Sequence, residues 1–177
     1  MSHFGACWTF TLAQEGGFAD DPQDPGGATN WGITLTTLRH FRGDRNLGVQ
    51  AIRDLTMAQA APIARALYWR PMDCEALPPG ADLMVFDFGF NAGPGTSAEM
   101  LQRQVGADVD GDIGPLTVLA TRGCDRVAVI LGLADRQTAY YRGLADFPRF
   151  GDGWLRRTRA RRDLALSMAG APPATTA

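Results

Sequence analysis

Glu15 is one of only three glutamates in 177 residues, the others being Glu75 and Glu99. It opens a turn-rich stretch, EGGFADDPQDPGGATNWGIT, that also carries Asp20, Asp21 and Asp24. Phe4, Trp8 and Leu12 recur at helical spacing, and Glu15 follows Trp8 by seven residues and Leu12 by three. That spacing puts its carboxyl on the inward face of an N-terminal helix, in the last turn. Partial burial and the negative end of the helix dipole both disfavour the charged form, which suits a general acid. Gly16-Gly17 lets the backbone turn sharply and leaves room for a bulky substrate. Hydrolysis of a glycosidic bond usually pairs such an acid with a second carboxylate, which stabilises an oxocarbenium-like centre or activates water. Asp24 is the choice for that role, because Pro25-Gly26-Gly27 is a rigid turn that would fix it relative to Glu15. Asp20 and Asp21 read as turn formers. Thr29 and Asn30 would leave the turn on opposite strand faces, so one of the two looks into a cleft and can hold a water or a sugar hydroxyl.

Other residues invite two readings each. Tyr68 and Trp69 end a helix beside a turn, where they either stack on a sugar ring or fill the core. Asp87 lies in VFDFGFN, apolar almost all round. It is expected to be a structural ion pair, for instance with an arginine. The alternative is that Asp87 and Asn91, one turn apart, line the floor of the cleft. DVDGDIGP alternates Asp108, Asp110 and Asp112 but has Ile113 and Leu119 where a calcium loop needs Gly and Glu, so it reads as a turn ahead of Pro115. Arg156, Arg157, Arg159, Arg161 and Arg162 read as a solvated face that could also attract anionic cell-wall polymer or membrane surface. His3 and His40 lack ligand spacing, and no metal is expected.

The elements that must position these groups are mostly helical. After the first helix, residues 18–34 suggest a small hairpin, with Asp24-Pro25-Gly26-Gly27 as its turn and ATNWGIT as a strand. Thr34 caps a helix over about 35–42, ended by Gly43. Thr56 and Gln59 form a capping-box pattern for a helix toward Trp69, with a kink or late start at Pro62. ADLMVFDFGFNAG reads as a central buried helix. Thr96 to Glu99 suggests a cap for a helix over about 97–105. Pro115 begins a short helix, and Asp125 opens a long one to about 145. FPRFGDGW reads as a loop, followed by a helix over about 154–168 and a frayed tail.

Composition bounds the partners. The chain is 45% hydrophobic and 20% charged, with net charge −2 and arginine as its only basic residue besides histidine. That balance argues against a dedicated nucleic-acid binder. Cys7, Cys74 and Cys124 show no C-x-x-C pattern and read as buried free thiols. No basic-then-apolar leader and no run of about 20 apolar residues is visible. The expectation is synthesis in the cytoplasm without a Sec signal, so that action outside the cytoplasm would need a separate means of release.

EGGFADDPQDPGGATNWGIT resembles the N-terminal motif of glycoside hydrolase family 108, the bacterial and phage-encoded N-acetylmuramidases and endolysins. YW, FDFGFNAG and DGDIGPLTVLA resemble the rest of that family, including a C-terminal segment described as a predicted peptidoglycan-binding region. The resemblance covers roughly residues 8 to 160. It implies a mainly α, lysozyme-like fold with Glu15 as the catalytic glutamate. The bond cleaved would be the β-1,4 link between N-acetylmuramic acid and N-acetylglucosamine in peptidoglycan glycan strands. No cofactor is implied, and a monomer is expected. The expected organisation is a catalytic region over 1–92, a peptidoglycan-binding helical region over 93–168 packed on it, and a tail over 169–177. The motif also resembles, more loosely, the Glu, eight residues, Asp, five residues, Thr pattern of another phage lysozyme family. Here only four residues separate Asp24 from Thr29, and Asn30 stands where that threonine would be. Rival readings are a lytic transglycosylase and a non-catalytic wall-binding or secretion-accessory protein.

Overall fold

Helix α5 (Ala81–Ala92) carries no polar stripe, and every residue from Ala81 to Phe90 is buried. A helix that is apolar all round must be covered all round. In the computed structural model, which describes residues 3–20 and 27–170, the cover comes from both ends of the chain. Helices α1 (His3–Gln14), α6 (Pro94–Val105), α8 (Arg126–Arg142) and α9 (Phe147–Met168) all pack against α5. Gly93 separates α5 from α6, where the chain was expected to divide. The apolar cluster nevertheless runs from Phe4 to Leu166. Phe4 of α1 sets the packing: its ring stacks on Trp8 and meets Trp69 and Phe86 edge-on.

Several elements follow from local signals. Helix α2 (Leu35–Arg42) begins with Thr34 accepting a hydrogen bond from the Thr37 backbone N–H, and ends at Gly43 in the left-handed region. Helix α4 (Met57–Ala64) opens with both halves of the Thr56–Gln59 capping box. Pro62 lies within it. The expected irregularity appears just beyond, as a π-helical turn over Arg65–Trp69 in which Arg70 N–H donates to the Arg65 carbonyl. Helix α7 (Pro115–Gly123) starts at its proline, and Asp125 caps α8 through the Ala128 N–H.

Other elements differ from expectation. The short helix α3 (Val49–Arg53) has no sequence signal strong enough to announce it. Helix α6 starts at Pro94 rather than near 97, because proline at the first helical position needs no N–H partner. Thr96 therefore lies inside the helix and is no cap; the neighbouring Ser97 hydroxyl donates to the Val85 carbonyl at 2.8 Å. FPRFGDGW is not a loop but the first two turns of α9. Two glycines there cost about 1 kcal/mol each in helix propensity. Tertiary packing overrides them: a Cβ on Gly151 would strike the Phe147 ring, and Trp154 stacks on Tyr141 of α8.

The β element is also rearranged. ATNWGIT is not one strand but a whole hairpin, β1 (Thr29–Asn30) against β2 (Ile33–Thr34). Trp31 and Gly32 form its two-residue turn, both with positive φ. Tryptophan is an uncommon residue there. It is held by its indole N–H, which donates to the Leu55 carbonyl at 2.9 Å. Ala19 bridges Thr29 in antiparallel fashion. Asp24, Pro25 and Gly26 of the Asp-Pro-Gly-Gly turn lie outside the described residues, as does the tail beyond Gly170.

The loop over 106–114 is built around a single amide. Gln102 is buried; its Nε2 donates to Asp110 Oδ1 and the Asp112 carbonyl, and its Oε1 accepts from the Asp110 and Gly111 N–H groups. Cys7 and Cys74 are buried free thiols and Cys124 is a half-buried one.

Candidate active site

Glu15 sits one residue beyond the end of α1, with its N–H on the Leu12 carbonyl at 3.2 Å. It opens onto a cleft of about 510 Å³, where Gly16, Gly17 and Thr29 line one part of the wall and Phe90 and Asn91 another. Among the described residues, chain neighbours aside, no heavy atom lies within 4 Å of where a Cβ would stand on Gly16 or Gly17. Gly32 is the opposite case. A Cβ there would run into the Phe90 ring and lie 3.0 Å from Glu15 Oε2. The hairpin turn thus sits directly over the carboxylate, and its positive φ adds a second reason for glycine.

The other side of the carboxylate is occupied by a group that sequence patterning places on a solvated face. Arg157 Nη1 donates to Glu15 Oε1 at 2.7 Å. Its Nε and Nη2 donate to the two oxygens of Asp87 at 3.0 and 2.6 Å. Asp87 also accepts from Arg161 Nη1 at 2.6 Å and from the Thr11 hydroxyl at 2.8 Å. Arg161 completes the cluster with Gln137 Oε1. Burial alone would raise the Asp87 pKa, but Arg161 and Arg157 outweigh it and hold the carboxyl below its ordinary range. Burial likewise opposes the charge on Arg157, but Asp87 and then Glu15 overcome it and push its pKa up. The arginine run is therefore split. Arg157 and Arg161, four residues apart on one helical face, turn inward, while Arg156 and Arg159 stay exposed.

Asp87 consequently does not form the cleft floor, since two guanidinium groups and a hydroxyl occupy both its oxygens. Asn91 does line the cleft, and its Nδ2 donates back to the Asp87 carbonyl. Tyr68 and Trp69 part company on the π-helical turn. Trp69 is 1% exposed and belongs to the core, with its indole N–H on Glu75. Tyr68 packs on Phe90, 4.8 Å between ring centroids, behind the cleft wall. Its phenol pKa is raised by burial, with the Glu15 charge adding and a hydrogen bond with Thr37 opposing.

Thr29 and Asn30 do face opposite ways. Thr29 lines the cleft. Asn30 turns inward, its Nδ2 donating to the carbonyls of Ile52, Arg53 and Leu55 at 3.0–3.2 Å. Three acceptors around one NH₂ fix the amide as a strut between hairpin and α3, not a substrate ligand. Asn30→Ala should leave buried carbonyls unpaired and cost about 2 kcal/mol, roughly 4–8 °C in Tm, with turnover per folded molecule unchanged. Thr29→Ala should do the reverse, lowering turnover with little change in melting. Thermal denaturation read beside a wall-lysis assay separates the two; identical effects would contradict this division of roles.

The signals for the missed residues are weak but real. A buried aspartate demands a cation, and Arg157 and Arg161 are spaced to meet one with two. Gly32 and Phe90 carry no chemical label; only their apposition gives them a part.

A helical body with a short hairpin turned over the Glu15 carboxylate at the end of the first helix defines a lysozyme-like glycoside hydrolase. Comparison with known proteins agrees. The family described as Glycosyl hydrolase 108 matches residues 8–93. A solved structure of Brucella abortus SagA is 38% identical, with a TM-score of 0.86 over 94% of this chain and 95% of that one. Among curated protein sequences, none matches. The chain belongs to the glycosyl hydrolase 108 family. It is a peptidoglycan hydrolase of the muramidase type. Among the described residues, no helix is long and apolar enough to cross a membrane.

Proposed function

We propose that Glu15 is the general acid that protonates the glycosidic oxygen between N-acetylmuramic acid and N-acetylglucosamine. The observation that carries this is its placement: a carboxylate at the cleft wall, under the Trp31-Gly32 turn and beside two glycines. A sugar oxygen entering the cleft meets a proton donor held on a helix end, not on a loose loop. The leaving oxygen takes the proton, the bond to the anomeric carbon breaks, and water supplies the hydroxyl that replaces it. Asp24, or a water held by Thr29, completes the displacement. Asp87 is not available for it. Tyr68 supports Phe90 from behind, and Asn91 offers an amide to the sugar. The enzyme acts as a monomer at the cell wall, where its substrate lies, and without nucleic acid.

Mass spectrometry of the products tests the reaction. Hydrolysis releases muropeptides that end in a reducing N-acetylmuramic acid and carry one added water. Anhydro-muramic products without that water would replace the hydrolase reading with a lytic transglycosylase. Walls left undigested would favour a non-catalytic binding protein.

A further inference from the structure

A glutamate at a helix end, beside two glycines, has three torsions free to wander. Holding one rotamer costs conformational entropy unless something pins it. Arg157 supplies the pin, and it is itself unusually constrained. Its guanidinium is planar, so two bonds to Asp87 fix the plane and leave Nη1 a single direction. That direction ends on Glu15 Oε1. Asp87 is fixed in turn by Thr11 of α1 and Arg161 of α9. Arg161 is steadied by Gln137 of α8, whose Nε2 donates to the Met84 carbonyl of α5. Four helices thus converge on one carboxylate oxygen. The other oxygen, Oε2, lies under Gly32.

We propose that Arg157 is a positioning residue for catalysis: it holds Oε1 so that Oε2 is presented to the scissile bond. It also stays on Oε1 as the carboxylate forms on proton transfer, so no group has to reorganise at that moment. Arg157 does not touch substrate; it acts through Glu15, and the inference rests on Glu15 being the acid. It has a consequence for the organisation of the chain. The family match ends at residue 93, yet the residue that aims the acid comes from α9. The C-terminal helices are then part of the catalytic body and not solely a wall-binding appendage.

The test uses the full chain and solubilised peptidoglycan strands, with kcat and KM measured separately. Arg157→Ala should lower kcat about 100-fold, the scale of a misplaced reacting group, with KM within about twofold of the parent. Guanidinium ion at tens of millimolar, far below denaturing levels, should restore part of that kcat by refilling the vacated site. It should do nothing for Glu15→Gln. Arg157→Lys keeps the charge but loses the fork, so its kcat should fall between the two. A folded Arg157→Ala protein with kcat near the parent value, a loss carried by KM instead, or a kcat that guanidinium does not raise would each overturn the proposal. If Arg157→Ala does not fold, Arg157→Lys decides: a parent-like kcat overturns the proposal and a clear fall at unchanged KM supports it. Failure of the general-acid reading would look different, because Glu15→Gln would then stay active whatever the Arg157 variants do.

Discussion

Glu15→Gln should reduce wall lysis by at least about a thousandfold, within the range for losing a general acid. Glutamine matches glutamate in size, and its carbonyl oxygen can still accept from Arg157. What it lacks is an acidic proton to give to the departing sugar oxygen. The fold should survive, because Arg157 keeps both bonds to Asp87 and no apolar contact is lost. Turbidity loss of purified walls gives the rate, release of reducing ends checks it, and circular dichroism with a sedimentation assay checks fold and wall binding. Turnover within about tenfold of the parent would remove Glu15 from the acid role. Loss of binding along with activity would point to a substrate-holding role instead.

Asp87→Asn should be the most destabilising single change in the cluster. Both Arg157 and Arg161 lose their shared counter-charge, and Arg161 is fully buried. Removing one partner of a buried pair costs about 3–5 kcal/mol, which corresponds to roughly 10 °C in Tm for a chain of this size. The pH dependence has a definite sign. The folded-state pKa of Asp87 is depressed relative to its unfolded value of about 3.9. Its contribution is therefore fully present above about pH 4 and is lost as pH falls through the lower, folded-state value. The gap in Tm between parent and Asp87→Asn should be constant near neutrality and narrow in acid. A gap that widened in acid, or no gap at pH 7, would mean that Asp87 does not hold the two arginines in solution as it does here. The same variant should also lower turnover, since Arg157 would lose the plane that aims it at Glu15.

These two residues also divide what is local from what is not. The position of Glu15, at the end of an apolar-faced helix and against a glycine pair, is written within about a dozen residues of itself. So are the Thr34 and Gly43 caps of α2, the Thr56–Gln59 box of α4, the Asp125 cap of α8 and the all-round apolar character of α5. Each is a contact between groups at most four residues apart, or a period readable along one element, and none needs to know where the rest of the chain lies. The family motif belongs here too, because it is a run of residue types.

The tertiary structure alone decided which partners these groups have. Asp87 could be read as buried and in need of a cation, but which arginine answers is set by how α9 lies on α5, 70 residues away in sequence. Arg157 reaches Glu15 across 142 residues. An arginine run looks the same in sequence whether it faces water or a carboxylate. Likewise Tyr68 and Trp69 are neighbours in sequence, and only the wide turn and the Phe4–Phe86 packing send one behind the cleft wall and the other into the core. Trp31 takes a turn conformation that its type disfavours, held there by its indole bond to the Leu55 carbonyl, 24 residues away in sequence. Local sequence is enough to place Glu15 and the helices around it. Only packing determined what holds that acid in place, because burial and charge pairing act between surfaces that meet after the helices have formed.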